Sequence, residues 1–175
     1  EVPQTRRNKL TMRSQKRGIA AFNKRMDAFK AKHEVILDSA ELRLAVMPNL
    51  EATEFWNNRS ALRGILDRLI IVEKGGFRHA IAIDIKTGRE RPIETYSLQL
   101  ESYGVLLHSA YDLKSVSMAA YFSSTEELVW HPRKVRDTDI VEDNPVFTTI
   151  NSLVETIDPG GYKVGRQCSW GDYRL

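Results

Sequence analysis

A single cysteine, Cys168, is all the thiol chemistry this chain possesses. An intrachain disulfide is therefore excluded, and a reducing compartment fits. No run of about 18 apolar residues occurs, so neither a membrane-spanning helix nor a membrane partner is expected. Internal repeats and low-complexity segments are missing too. Apolar residues at 42% and charged residues at 28% exclude an overall disordered chain, and 175 residues are enough for one domain with a proper core. The first residue is Glu1 and not Met, which reads as a fragment or a processed form. A cytoplasmic or nucleoid-associated location is expected, with an organellar one left open.

Acidic residues are scarce in one region only. Residues 1–33 hold ten Lys or Arg against Glu1 and Asp27, while the whole chain carries only +3. A basic segment on a mildly acidic body points to a polyanion, most often nucleic acid; a solvated helix face is the plain alternative. Ile19, Phe22, Met26, Phe29, His33 and Ile36 recur at helical spacing between the cations, predicting a basic helix over 14–43 with Ser14 as N-cap. Arg17, Lys24 and Arg25 are its candidate phosphate contacts. Residues 1–13 read as an irregular basic arm.

The most informative stretch is 64–88. Two runs rich in Ile, Leu and Val flank Gly75-Gly76, a pair that tolerates positive φ and favours a tight hairpin turn. That turn sets Glu73 against Arg78, Leu69 against Ala82, Leu66 against Ile85 and Asp67 against Asp84. Lys86 then shares a face with Asp84. Facing carboxylates repel, unless a divalent cation becomes the largest local charge. Carboxylates suit Mg²⁺ or Mn²⁺, and a neighbouring lysine can orient a water or stabilise developing negative charge. Ile85 could add its carbonyl.

Glu51 to Trp56 reads as extended and Asn57-Asn58 as a turn. Thr95 to Leu113 reads as a helix with Leu98, Tyr103, Leu106, Leu107, Ala110 and Tyr111 on its apolar face. Val116 to Phe122 reads as a return strand, and Asn144-Pro145 opens a third helix to about residue 157. The order of elements predicts an α/β (α+β) fold, a small central mixed sheet flanked by helices. Trp130 beside Arg133, Lys134 and Arg136 forms a second candidate surface for nucleic acid.

GILDR with Asp67, IDIKTG with Asp84 and Lys86, and SLQLESY with Gln99 and Tyr103 follow one another in order. Together they resemble the RecB-type branch of the PD-(D/E)XK nucleases, over roughly residues 30–110. The resemblance implies a restriction-endonuclease-like core over 44–122 and a C-terminal extension over 123–175. It implies a Mg²⁺- or Mn²⁺-dependent DNA nuclease of exonuclease character, acting on single strands or ends, alone or within a larger polypeptide or complex. Asp67 and Asp84 become metal ligands, Lys86 the catalytic lysine, and Gln99 and Tyr103 its helpers from the following helix. His33 is the best match to the family's upstream metal-binding histidine, although Phe29 replaces the usual glycine before it. Gly18 to Phe22 has the glycine, but Phe where that histidine belongs. The tail QCSWGDYRL resembles the start of an iron–sulfur motif, yet one cysteine cannot supply four thiolates, so no cluster is expected. A catalytically inactive nucleic-acid-binding module of the same fold is the rival reading.

Overall fold

The computed structural model describes residues 6–88, 90–139 and 146, with side chains from residue 13 onward. Helix α1 runs Arg6–Lys30, so residues 6–13, expected to be irregular, are helical, and the helix ends well before residue 43. A short turn then leads into strand β1, Val35–Val46. The helical spacing that continued through His33 and Ile36 is overridden by pairing. β1 bonds β3 (Leu62–Lys74) antiparallel from Val35↔Val72 to Val46↔Leu62, and that tertiary ladder decides the conformation.

Between them lies the short strand β2, Ala52–Thr53, paired with the end of β1. β4 is Phe77–Lys86, and Gly75 and Gly76 turn the hairpin with φ of 61° and 77°. The expected register holds from Lys74↔Phe77 to Arg68↔Ile83. There the ladder stops. Leu66 does not pair with Ile85, nor Asp67 with Asp84. β3 stays with β1, while β4 continues in parallel with β5 (Ser115–Phe122) as far as Lys86↔Phe122. The two strands of the hairpin fork.

A parallel pair needs a crossover, and it comes as a 3-10 turn (Ile93–Tyr96) followed by helix α2, Ser97–Ala110. The antiparallel strands β6 (Glu127–Trp130) and β7 (Val135–Arg136) flank β5, giving seven strands in a mixed sheet. On one face α2 buries Leu100, Leu106 and Leu107 against Leu69, Ala82, Met118 and Phe122. On the other, α1 buries Phe22 and Met26 against Ile70, Ile83 and Tyr121. Leu98, assigned to the apolar face of α2, is 52% exposed. Val146, from the expected third helix, is buried with Val105. The rest of that helix and the tail with Cys168 lie outside the described residues. No helix among the described residues is long and apolar enough to cross a membrane.

α1 touches the sheet most closely at Gly18. A Cβ there would lie 2.0 Å from the backbone oxygen of Ser123, and the Tyr121 hydroxyl donates to the Gly18 carbonyl at 2.7 Å. Gly18→Ala must therefore push the helix off β5. We expect a loss of about 3 kcal/mol, the upper end for overpacking, read as a lower urea midpoint at unchanged m-value. An unchanged midpoint would refute the close approach.

Candidate active site

The fork places two carboxylates on diverging strands. Where the ladder ends, the N–H of Ile85 loses its strand partner, and Asp67 Oδ2 accepts it at 2.6 Å. Asp67 thus holds β4 by a side chain. Gly64, at the start of the same motif, lets α2 approach: a Cβ there would meet Leu106 Cδ1 at 2.6 Å and the Tyr103 ring at 3.2 Å. Glycine is the residue that leaves Tyr103 room beneath β3.

Asp84 is 4% exposed and sits at the centre of a closed network. Its Oδ1 accepts from Gln99 Nε2 at 3.0 Å and lies 3.2 Å from the Tyr103 hydroxyl. Gln99 Nε2 also donates to Tyr103 at 2.8 Å, and the single Tyr103 O–H is shared between Asp84 and the Ile65 carbonyl, 3.1 Å away. Lys86 Nζ donates to Gln99 Oε1 at 2.9 Å and lies 2.7 Å from Asp84 Oδ2. It also sits 4.4 Å from the centre of the Tyr96 ring, a cation–π contact. The i, i+4 spacing of Gln99 and Tyr103 on α2 lets both reach one carboxylate.

Burial is the main force raising the Asp67 carboxyl above its usual range; the Ile85 N–H opposes it, the Asp84 charge adds to it, Lys86 opposes it, and Glu41 adds further. Tyr103 is held far above the usual phenol range, first by burial and then by the Asp84 charge. It therefore acts as a neutral hydrogen-bonding group at any working pH.

The residues can be tested against a divalent cation on one observation. Asp84 Oδ2 is buried and has no hydrogen bond: Lys86 Nζ is near it, but off a hydrogen-bonding axis. Asp67 Oδ1 has no protein partner either among the described residues. Two hard carboxylate oxygens suit Mg²⁺ or Mn²⁺, which bind through one or two carboxylates and complete their shells with water and phosphate oxygens. Among the described residues no three His, Cys, Asp or Glu side chains converge as a ready-made cage.

The sequence placed five residues here, Asp67, Asp84, Lys86, Gln99 and Tyr103, and the structure brings them together, with Ile85 joining through its N–H. His33 is not with them. It is exposed in the turn after α1 and stacks on Phe29, ring centres 4.1 Å apart. The neighbouring Glu34 carbonyl bonds Glu73, six residues along β3 from Asp67, or about 20 Å of strand. The helix position that faces Asp67 is Phe22, which lines a cleft of about 340 Å³ with Ile19, Asn23, Glu41, Asp67 and Ile85.

Two residues were missed. Tyr96 has no sequence signal beyond preceding the Gln99 motif. Glu41, read as a surface residue, stands across from Asp67, between the pairs Ala40↔Arg68 and Leu42↔Leu66, with φ of 52°. Of the expected phosphate contacts, Lys24 and Arg25 are exposed on α1, while Arg17 is engaged with Glu126 at 2.9 Å. Arg133, Lys134 and Arg136 are exposed but lie toward the opposite end of the sheet, where Arg136 pairs with Ser115, seven residues along β5 from Phe122.

A family model described as the PD-(D/E)XK nuclease superfamily matches residues 3–174. No curated protein and no solved structure matches the chain.

Proposed function

The chain belongs to the PD-(D/E)XK nuclease superfamily, and from that premise we propose that it is a Mg²⁺- or Mn²⁺-dependent deoxyribonuclease of the RecB-like branch, working as an exonuclease on single strands or DNA ends. One observation carries the reading. Asp84 is fixed through Oδ1 by Gln99 and Tyr103, so its unbonded Oδ2 is aimed beside Lys86 and across the fork from Asp67.

A cation held by Asp67 and Asp84 supplies polarisation of a phosphoryl oxygen and a lowered pKa for a water. The chain's own groups do the remainder. Lys86 stabilises negative charge at the attacked phosphate or orients the attacking water, and its ammonium is steered by Gln99 Oε1 and the Tyr96 ring. Gln99 and Tyr103 are positioning residues: they donate to Asp84 and leave its other oxygen for the cation. Ile85 sets the rotamer of Asp67 through its N–H. Residues 6–17 of α1 precede the Gly18 contact, so about 18 Å of helix carrying six Lys or Arg continues past the site end of the sheet, where a polyanion would enter.

The absence of a histidine at the Phe22 position favours one second reading, a nucleic-acid-binding module that has lost catalysis. The separating experiment incubates linear single-stranded, linear duplex and covalently closed circular DNA with the protein in Mg²⁺, Mn²⁺ or EDTA. We expect the linear forms to be degraded with either metal and the circle to survive. Cleavage of circles as fast as linear DNA would overturn the exonuclease assignment. Binding without degradation of any form would establish the second reading.

A further inference from the structure

The connection between β1 and β3 carries the most exposed aromatic residue of the described chain, and the site chemistry gives it no task. Trp56 is 70% exposed. Its indole is not loose: it meets the Phe55 ring edge-on with centres 4.9 Å apart, and the Arg43 guanidinium lies over the other aromatic, 5.8 Å from the Phe55 ring centre. The loop behind it is tied down by Asn57. That side chain donates to Thr53 Oγ1 at 2.7 Å and accepts the Arg59 N–H at 3.0 Å, while the Asn57 carbonyl accepts from Ser60 and Arg63. A large apolar ring is thus displayed to solvent on a rigid mount.

Its location relative to the fork narrows the occupant. Arg63 and Thr53 both pair with Ala45, so the loop stands abreast of the start of β3. From there Arg63, Ile65 and Asp67 alternate along β3 on one face, and Arg43 opposes Ile65 across the ladder. Ile65 is itself 45% exposed, and its row ends at the site carboxylate about 13 Å beyond Arg63. Cations and exposed apolar groups therefore lead from Trp56 to Asp67 along one open surface. A nucleic-acid strand matches both: its phosphates meet the arginines, and its bases offer π-faces. In a duplex those faces are already stacked, so the indole can engage only an unpaired base.

We propose that Trp56 is a stacking platform for an unpaired base of the substrate strand, positioned by the Phe55–Arg43 pair and continuous with the β3 row that ends at Asp67. The inference rests on the nuclease reading for its substrate, but it concerns binding and can be measured without cleavage. Glu51 and Glu54 lie in the same loop, so stacking and not net charge carries the contact, and affinity at this subsite depends only weakly on salt.

The test measures fluorescence anisotropy of a labelled oligothymidylate and of a blunt duplex of equal length, in EDTA, with the whole chain and with Trp56→Ala and Trp56→Phe. The expected result is a loss of about 5- to 150-fold for the single strand on Trp56→Ala, with most of it recovered by Phe and little change for the duplex. Quenching of tryptophan emission by the single strand should shrink in Trp56→Phe, a readout that needs only a conservative change. Unchanged single-strand affinity in Trp56→Ala overturns the platform. So does an equal loss for strand and duplex. If the binding pattern holds but Mg²⁺ and Mn²⁺ yield no cleavage in the unaltered chain, the nuclease reading fails alone and the platform stands.

Discussion

Lys86→Met and Asp84→Ala should each reduce metal-dependent cleavage by about 10²–10⁴-fold, the range for losing a positioned proton-transfer or charge-stabilising group. The two differ in what they leave behind. Lys86→Met keeps the aliphatic stem against Tyr96 and leaves Gln99 and Tyr103 bonded to Asp84, so the fold and the cation's carboxylates persist. It should bind Mg²⁺ or Mn²⁺, shown by a raised melting temperature with metal, and still fail to cleave. Asp84→Ala removes the acceptor at the centre of the network. The Gln99 amide and the Tyr103 hydroxyl then lose a buried partner, at about 1–3 kcal/mol, and metal should no longer raise the melting temperature. Single-turnover cleavage of a labelled oligonucleotide beside a thermal melt separates the two effects. Metal-dependent cleavage surviving both substitutions would falsify the site.

Asp67→Asn should abolish cleavage and yet stabilise the protein in EDTA. The sign follows from burial. The folded chain holds the Asp67 proton more tightly than the unfolded chain does, because burial, then Asp84 and Glu41, disfavour the charge more than Ile85 and Lys86 favour it. A raised carboxyl pKa means that the native state binds more protons in the window between the unfolded and folded values. Stability therefore falls as pH rises through that window, and at neutral pH the ionised group costs stability. Asn removes the charge and can still accept the Ile85 N–H. Asp67 is half-exposed, so solvent screening limits the gain to about 1 kcal/mol, or roughly 2–4 °C in a chain of this length. Metal should reverse the ranking by stabilising the unaltered chain alone. A melting temperature for Asp67→Asn at or below that of the parent in EDTA would contradict the electrostatic assignment.

Much of this site could be read before any coordinates, for a local reason. The Gly75-Gly76 turn fixes the register by chemistry within two residues, and helical spacing fixes Gln99 against Tyr103. What sequence periodicity could not supply was the fork. It depends on β5 pairing in parallel with β4 while β1 holds β3, two long-range ladders that no local pattern encodes. Asp67 and Asp84 were expected to face one another as neighbours in a ladder. They belong instead to diverging strands, and a side chain replaces the missing backbone bond. His33 was misplaced for a related reason. The apolar spacing of α1 runs on without a break into β1, and only the tertiary pairing of Val35 shows where the helix stops. The resemblance had indicated Gly18 to Phe22 as the other candidate segment; the structure brings Phe22 to the cleft with Asp67.

The contact between Gly18 and the end of β5 also has a kinetic meaning. Asp84, Lys86, Gln99 and Tyr103 fall within twenty residues, on one strand and the helix that follows it, so their meeting closes short loops. The bond from Tyr121 to Gly18 spans 103 residues and that from Arg17 to Glu126 spans 109. Closing loops of that length carries the largest entropy cost, so the β4–α2–β5 unit should form in the folding transition state and α1 dock after it. The Gly18→Ala change would then leave the refolding rate near that of the parent and appear almost wholly as faster unfolding. The helix that bears the chain's positive charge is thus the last part to arrive and the first to leave, closing over a carboxylate network already assembled beneath the sheet.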